Sequence, residues 1–443
     1  MTDQTQTLER PAGASESIAA ANQEPEWLRR RRADAAALYA SLAMPRDDEE
    51  DWRRTDLRGL NLRDFETYKK PGAKVDDFAA LPDGLRATTA PGDFAGTSYE
   101  VDSTSVFREL GSEAADAGIV FTDLHTAARD HSELLEKFLN GADGVAVDAD
   151  KFMAMHAAFM AGGNFIHVPK GVHLEKAIKC TYWLDDPAVA AFPHTLVVVE
   201  PEASVAIIDE YISAPSSRPA FAAPVTEAHL GRASRLNYVS LQRWSQDTWN
   251  MSRQRFVFDD EAKASLLFAA LGSRTTKAYV QTIFKGASSS ARMKGLIVGD
   301  NDQSIDYQTL QEHAGVASES DLDFKAALKD RSRAIWLGLC VITKTGQRSN
   351  ANQTCRNLLL SEKASAFPIP SLEILANDVK CSHGTTVGQV DEQQIFYAQT
   401  RGIDREAAER MIVDGFFQPL VDSVSTEGVR DLLHEVLEQR LEL

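Results

Sequence analysis

Cys381-Ser382-His383 is the one place where a cysteine and a histidine stand two residues apart, inside the stretch Ser371–Arg401. A run rich in strand formers leads into it and a capped helix leads out. On a β-strand, side chains at i and i+2 share a face and lie about 6.5–7 Å apart. The thiol and the imidazole therefore face one neighbour together, be it a metal, a redox partner or another chain. Thiolate is a soft ligand and imidazole a borderline one, a combination suited to iron, zinc or copper(I). Two ligands do not complete a tetrahedral site, and no CxxC pair, HxxxH pair or four-cysteine pattern supplies the rest. The missing ligands must come from elsewhere in the fold or from a second chain. Cys355, on an earlier strand-like segment, is placed to stack near Cys381. Cys180 (in AIKCTYW) and Cys340 (in WLGLCVIT) sit in apolar runs and read as core residues. For an arbitrary Cys-x-His, a buried thiol and a hydrogen-bonded histidine are the commoner outcome.

Other chemistries find less support. A cysteine nucleophile needs a base within hydrogen-bond reach, and two side chains on one strand face are usually too far apart. Glycoside cleavage on a β-solenoid would need paired carboxylates in a groove and usually an export signal. The chain has no GxxxxGK[ST] loop, so no ATP site of the P-loop kind, and no GxGxxG after a strand. A metal-dependent enzyme using Cys381, His383 and Cys355 stays open as an alternative, as does a purely structural partner subunit.

A net charge of −18 argues against nucleic acid as a main partner. The run Arg29-Arg30-Arg31-Arg32 continues into Ala33–Leu38, which places it on a helix, solvated or paired with acidic neighbours. No stretch reaches the roughly 18 apolar residues of a membrane span. The first residues lack the basic-then-apolar pattern of a signal peptide. Four cysteines without such a signal read as free thiols in a reducing cytoplasm.

Positioning elements follow from pattern. Residues 1–23 are polar and small, the composition of a disordered tail. Glu24-Pro25-Glu26 opens a helix running to about Leu42. Thr122–Leu139 and Asp150–Met160 have helical spacing, the latter with an aspartate N-cap. From about Gly163, short strand-like runs follow one another with turns between, alternating most cleanly over Asp321–Leu328. No amphipathic helix interrupts them, which argues against βαβ architecture. Recurring Ala-Ser pairs (203, 233, 264, 287, 364) suit the stacked coils of a β-solenoid, with a β-sandwich as the alternative. Asp391 and Gln394 form a capping-box pattern and Gly402 ends that helix. Asp404–Gly415 carries Ala408, Met411 and Ile412. About Thr426–Leu441 carries the stripe Val429, Leu432, Leu433, Val436, Leu437 and Leu441, which suits packing on the solenoid or docking of another subunit. The expected division is tail 1–23, helical or mixed domain 24–162, β-helix 163–390 and helical domain 391–443.

These segments resemble the SufB/SufD family of iron–sulfur cluster assembly proteins. The resemblance is densest over Arg356–Phe416, with RNLLLSE, NDVKCSHGTTVGQVDEQQIFY, RGI and IVDGFF. It extends to DWRRTDLRGLNL, GIVFTDLHTAA and FIHVPKGVHLEKAI. Within the family it is nearest the SufD branch. CSHG stands where SufB-like chains carry an acidic EHE-type segment, Trp52-Arg53 with Thr55-Asp56 is SufD-like, and the cysteine-containing N-terminal motif of many SufB chains is missing. Cys355 departs from that branch, since SufB-like chains carry their functional cysteine at about this place. The resemblance implies a right-handed parallel β-helix flanked by helical domains and a non-catalytic scaffold role. It also implies a heterodimer with a SufB-like paralogue and docking of a SufC-like ATPase on the C-terminal helices. A transient iron–sulfur cluster or iron would be held at the paralogue interface, with His383 and Cys381 at family positions there and Cys355 as a further candidate. Phe396, Tyr397, Met411, Ile412, Phe416 and Phe417 are the expected ATPase-docking residues.

Overall fold

The computed structural model describes Leu8 and residues 11–67, 74–88, 93–216, 218–424 and 427–441; the side chains of Val429, Gln439, Arg440 and Leu441 lie outside the described set. Its core is a parallel β-solenoid. Among the described residues two sheets run its length, of ten and eleven strands. In the first, the parallel series Ile178–Leu184, Ser204–Ser213, Arg235–Arg243, Lys263–Ala270, Ser290–Gly299, Glu319–Leu328, Asn350–Leu359 and Lys380–Gln389 pairs in register, one strand per coil. In the second, the series from His194–Val199 to Ser365–Ile374 does the same. Strand residues alternate between the interior and the outer face, so the periodicity read at Asp321–Leu328 is that of a coil with one face on the core.

In-register pairing stacks identical positions, and the interior is built from such columns. Phe258, Phe284, His313 and Ile342 form one, with Phe284 stacked on Phe258 at 4.9 Å and on the His313 ring at 4.6 Å. Gly295 is required in another: a Cβ there would run into the Phe324 ring of the next coil, which is its register partner. Each fully buried phenylalanine of this kind contributes roughly 1.5–3 kcal/mol of transfer free energy.

The corners explain why the repeat is faint in sequence. A residue with left-handed backbone precedes the first-sheet strand in coil after coil, at Glu202, Ala233, Glu261, Ser288, Ala317 and Arg348. Only hydrogen bonding and packing hold these positions, since none is glycine and each such turn costs about 1–2 kcal/mol. The Ala-Ser pairs do not mark one recurring position. Ala233-Ser234 and Ala287-Ser288 lie in turns, whereas Ala264-Ser265 lies inside a strand.

The two ends of the solenoid differ. At the start, Thr104–Leu110 is the edge strand of the first sheet, antiparallel to Gly96–Val101, and Val120–Asp123 is that of the second, antiparallel to Asn164–Val168; both are mostly buried or half-buried. Gly96–Val101, Thr104–Leu110 and Val120–Asp123 lie before residue 163, so sheet-forming segments begin inside the stretch read as helical or mixed. At the far end, Lys380–Gln389 and Ser365–Ile374 are edge strands with no further strand beyond them among the described residues.

The segment read as a disordered tail contains a helix, Pro11–Ala21, whose Ala14, Ile18 and Ala19 are buried; the first nine residues other than Leu8, with residue 10, lie outside the described set. It packs with Glu26–Ser41 and Lys151–Phe159. In the arginine run, Arg30 pairs with Glu26 on the surface, but Arg32 is buried, donating to Glu24 at 3.0 Å and to the Ala158 carbonyl at 2.9 Å. Thr122–Leu139 forms two helices, Leu124–Asp130 and Ser132–Phe138, broken where His131 leaves helical geometry.

The Asp51–Asp56 motif is a strap onto the second sheet. Trp52 packs against Phe152 and Tyr279. Thr55 Oγ1 donates to Asp306 at 2.6 Å, and Lys277 Nζ donates to the same carboxylate at 2.8 Å. The C-terminal helices lie on the outer face of the first sheet: Phe417, Leu420, Leu433, Val436 and Leu437 cover Leu241, Leu267, Leu296 and Val298. Thus the described part of the C-terminal stripe serves packing along the solenoid flank, while Val429 and Leu441 fall outside the described side chains.

Burial of His313 makes its own contribution to stability acid-sensitive. Desolvation lowers its pKa to about 4, and its nitrogens are held by Ser318 and Ser320, each at 2.8 Å. As pH falls below the free-histidine value of about 6.5, the unfolded chain takes up a proton that the folded chain refuses until about pH 4. The contribution of this group is therefore lost across that window, by roughly 3 kcal/mol at its lower end. Burial depresses His156 in the same direction. Burial raises Glu100 to about 7 and Asp102 and Asp209 to about 6, which acts in the opposite sense over the same window, so the check is differential: by chemical denaturation, the stability of His313→Gln relative to the unmodified chain should rise between pH 7 and pH 4.5.

Candidate functional site

The strand Lys380–Gln389 is the last of the first sheet, and its register fixes what faces inward. Cys381 sits beside Ala351, His383 beside Gln353, Thr385 beside Cys355 and Val387 beside Asn357. Ala351, Gln353, Cys355 and Asn357 are the buried, interior positions of their strand. Cys381 and His383 therefore share the interior face, as the i, i+2 spacing predicts. No later coil covers them. His383 is exposed and makes no hydrogen bond or ion pair with any described residue. Beneath it in register, Gln353 donates to Gln311 Oε1 at 2.8 Å, while its own Oε1 is buried without a partner among the described residues. That oxygen is an acceptor available to an imidazole N–H, the kind of contact that orients a ligating histidine.

Cys355 does not meet Cys381. It lies under Thr385, four positions or about 13 Å further along the strand, buried and in contact with Asn357. The thiol that does meet Cys381 is Cys340 of the second sheet, sulfur to sulfur at 4.0 Å across the solenoid interior. Sequence reasoning placed Cys340 in the core correctly but missed this contact. The two cysteines lie on different sheets, so coil spacing within one sheet cannot pair them. Burial raises all three thiols: Cys355 to about 12, Cys340 further, and Cys381 in the same direction. A metal bound here must displace thiol protons.

Exposed apolar side chains cluster in two places. Phe367, Ile374, Leu375 and Val387 lie on or beside the two edge strands. Phe396 (67% exposed), Tyr397 (62%) and Met411 (57%) stand on the helices Glu392–Thr400 and Arg405–Val421. The first of these helices is capped by the Asp391 carboxylate, which accepts from Gln393 N–H at 2.9 Å. It ends at Gly402, whose φ of +84° allows Ile403 and Gly402 to return N–H bonds to Ala398 and Gln399. Of the six residues expected to dock an ATPase, Ile412 and Phe416 are half-buried. Phe417, at 1% exposure, packs on the solenoid. Phe417 is therefore a core residue and not a docking surface, because the helix turns that side to the first sheet.

An array with the look of acid–base machinery occurs elsewhere. His156 Nδ1 donates to the Ala223 carbonyl at 2.7 Å, His156 Nε2 meets His194 Nδ1 at 3.0 Å, and His194 Nε2 stands 3.2 Å from Glu227. Glu227 also accepts the main-chain N–H groups of Asn140 and Val145. Every member is buried. The array joins the helix Lys151–Phe159 and the loop after residue 139 to the second sheet. Among the described residues, no three or more histidine, cysteine, aspartate or glutamate side chains form a metal-binding group, and no helix is long and apolar enough to cross a membrane.

Comparison with known proteins agrees with this architecture. Residues 182–416 match the SUF system FeS cluster assembly, SufBD core domain, and residues 13–180 match the SufBD protein N-terminal region. The chain is 31% identical to the iron–sulfur cluster assembly protein SufD of Bacillus subtilis, over 96% of both chains. Identity to SufB of the same organism is 24%, over 93% of this chain and 89% of the relative. A SufBD family protein of Staphylococcus haemolyticus is 25% identical over 93% and 88%. A solenoid with helices at both termini, matched along nearly its whole length, establishes that this chain belongs to the SufB/SufD family of iron–sulfur cluster assembly proteins.

Proposed function

We propose that this chain is a non-catalytic, SufD-like scaffold subunit of a SUF-type complex. It pairs with a SufB-like paralogue through the open end of its solenoid and takes a SufC-like ATPase on its C-terminal helices. A nascent iron–sulfur cluster, or its iron, is the cargo held between the paralogues, with His383 and Cys381 as this chain's contribution. The observation that carries the reading is the contrast between the ends of the solenoid. At one, the edge strands Thr104–Leu110 and Val120–Asp123 are mostly buried or half-buried, while the other presents two more exposed edge strands, exposed Phe367, Leu375 and Val387, and the side chains of Cys381 and His383. Raw edges invite pairing with another strand, and an incomplete ligand set calls for donors from that same partner. Four free thiols suit a reducing cytoplasm.

The two surfaces predict separable losses. Co-expressed with the SufB-like and SufC-like proteins of its organism, the tagged chain should bring down both. Val387→Asp should weaken capture of the paralogue by about ten- to a hundredfold, and Phe396→Glu with Met411→Glu should do the same to the ATPase. Mass analysis of what co-purifies reads both. A chain that purifies alone or as a self-dimer under these conditions overturns the reading.

A further inference from the structure

Cys340 and Cys381 face each other at the open end of the solenoid, one from each sheet. Their surroundings are apolar: Ile342, Ala351 and Ala376 are buried around them, with Leu372 and Val379 partly so. Cys340 is fully buried, while Cys381 is half-exposed beside the uncovered edge. The pair thus has an inner sulfur fixed by packing and an outer one reachable from the end.

Their separation carries chemical information. A disulfide needs about 2.05 Å. Two thiolates bound to one tetrahedral cation at about 2.3 Å each stand about 3.8 Å apart. The observed 4.0 Å is a thiol–thiol contact, twice the disulfide distance, and a shift of about 0.2 Å would bring both sulfurs onto one cation. The charge balance fits as well. A divalent cation with two thiolates is neutral, which an apolar wall can hold, whereas a single thiolate would leave a net positive charge there. Binding exchanges two thiol protons, released to solvent, for one cation.

We propose that Cys340 and Cys381 form a two-thiolate edge of a site for a soft or borderline divalent cation, with ferrous iron as its physiological class. Cys340, rather than Cys355, is then the second sulfur this chain supplies. The site deepens, and rests on, the reading of Cys381 as a ligand. Its two remaining corners face the open end, where His383 and donors of a partner can reach them.

The test uses the isolated full-length chain under anaerobic, reducing conditions, titrated with Co(II). The readout is the thiolate-to-cobalt charge-transfer band, whose intensity follows the number of bound thiolates. One Co(II) per chain with two-thiolate intensity is expected. Cys340→Ser should halve the band and weaken binding at least tenfold, and Cys355→Ser should change neither. Cys340→Val, which keeps an apolar filler of similar size in the core, should match Cys340→Ser; this guards against loss through misfolding, with circular dichroism as the check. Full intensity and affinity in both Cys340 variants, or no Co(II) binding by the unmodified chain, would overturn the proposal. The result is separable from the scaffold reading, which is judged by cluster formation and subunit capture in the assembled complex.

Discussion

His383→Ala should lower cluster formation by at least tenfold in the complete three-component complex while leaving the melting temperature of the isolated chain within about 2 °C. The two halves of this result have different origins. The side chain is exposed and bonded to no described residue, so its loss removes almost nothing from the fold, and exposed substitutions of this kind usually stay within about 0.5 kcal/mol. What it removes is an imidazole on the interior face of an uncovered strand, with Gln353 Oε1 beneath it, which on the proposed reading is a borderline nitrogen ligand. Losing one ligand of a few-ligand site costs far more than losing a surface contact. Cluster build-up followed by visible absorbance under anaerobic conditions measures the first half, and thermal denaturation the second. Normal cluster formation by the variant complex would remove His383 from the ligand set.

The second large effect concerns stability. Asp306→Ala should destabilise the attachment of the N-terminal strap by about 3–5 kcal/mol, the usual cost of leaving one partner of a buried ion pair uncompensated. Asp306 is fully buried and holds both Lys277 and Thr55. Burial raises the carboxyl and lowers the ammonium, so each depends on the other to remain charged. Removing the carboxylate strands Lys277 beneath Trp52. Asp306→Asn keeps a polar partner for Thr55 but not the charge, and should lie between the alanine variant and the unmodified chain. A solenoid does not unfold as one unit, so limited proteolysis in the segment around Trp52 is the sharper probe. It should accelerate at least tenfold in the alanine variant before the global transition moves. Equal cleavage rates would mean that Trp52 and its aromatic neighbours hold the strap alone.

Much of this architecture can be read without coordinates. The strand runs after Gly163 and the absence of intervening helices point to stacked coils. The i, i+2 spacing of Cys381 and His383 gives their common face, and the Asp391 and Gly402 signals bound the helix that follows. Three features are hidden for physical reasons. The coil period is masked because its left-handed corners are occupied by Glu, Ala, Ser and Arg instead of glycine. The helix Pro11–Ala21 looks like a polar tail because only a few small side chains and Ile18 face the core. The partner of Cys381 is hidden because sequence separation carries register within one sheet but says nothing about which strands of two sheets face each other across the interior. The same limit placed Cys355 near Cys381, where register keeps them four positions apart.

The unequal ends of the solenoid also set how many neighbours the molecule can have. A protein with two raw sheet ends has a valence of two and can grow into a filament. Here the edge strands Thr104–Leu110 and Val120–Asp123 of one end are mostly buried or half-buried, whereas Lys380–Gln389 at the other is exposed along nearly its whole length, so edge pairing has a valence of one. Association through these edges would therefore stop at a pair. The exposed strand edges, which in a longer or symmetrical solenoid would be an aggregation hazard, become a single terminating joint.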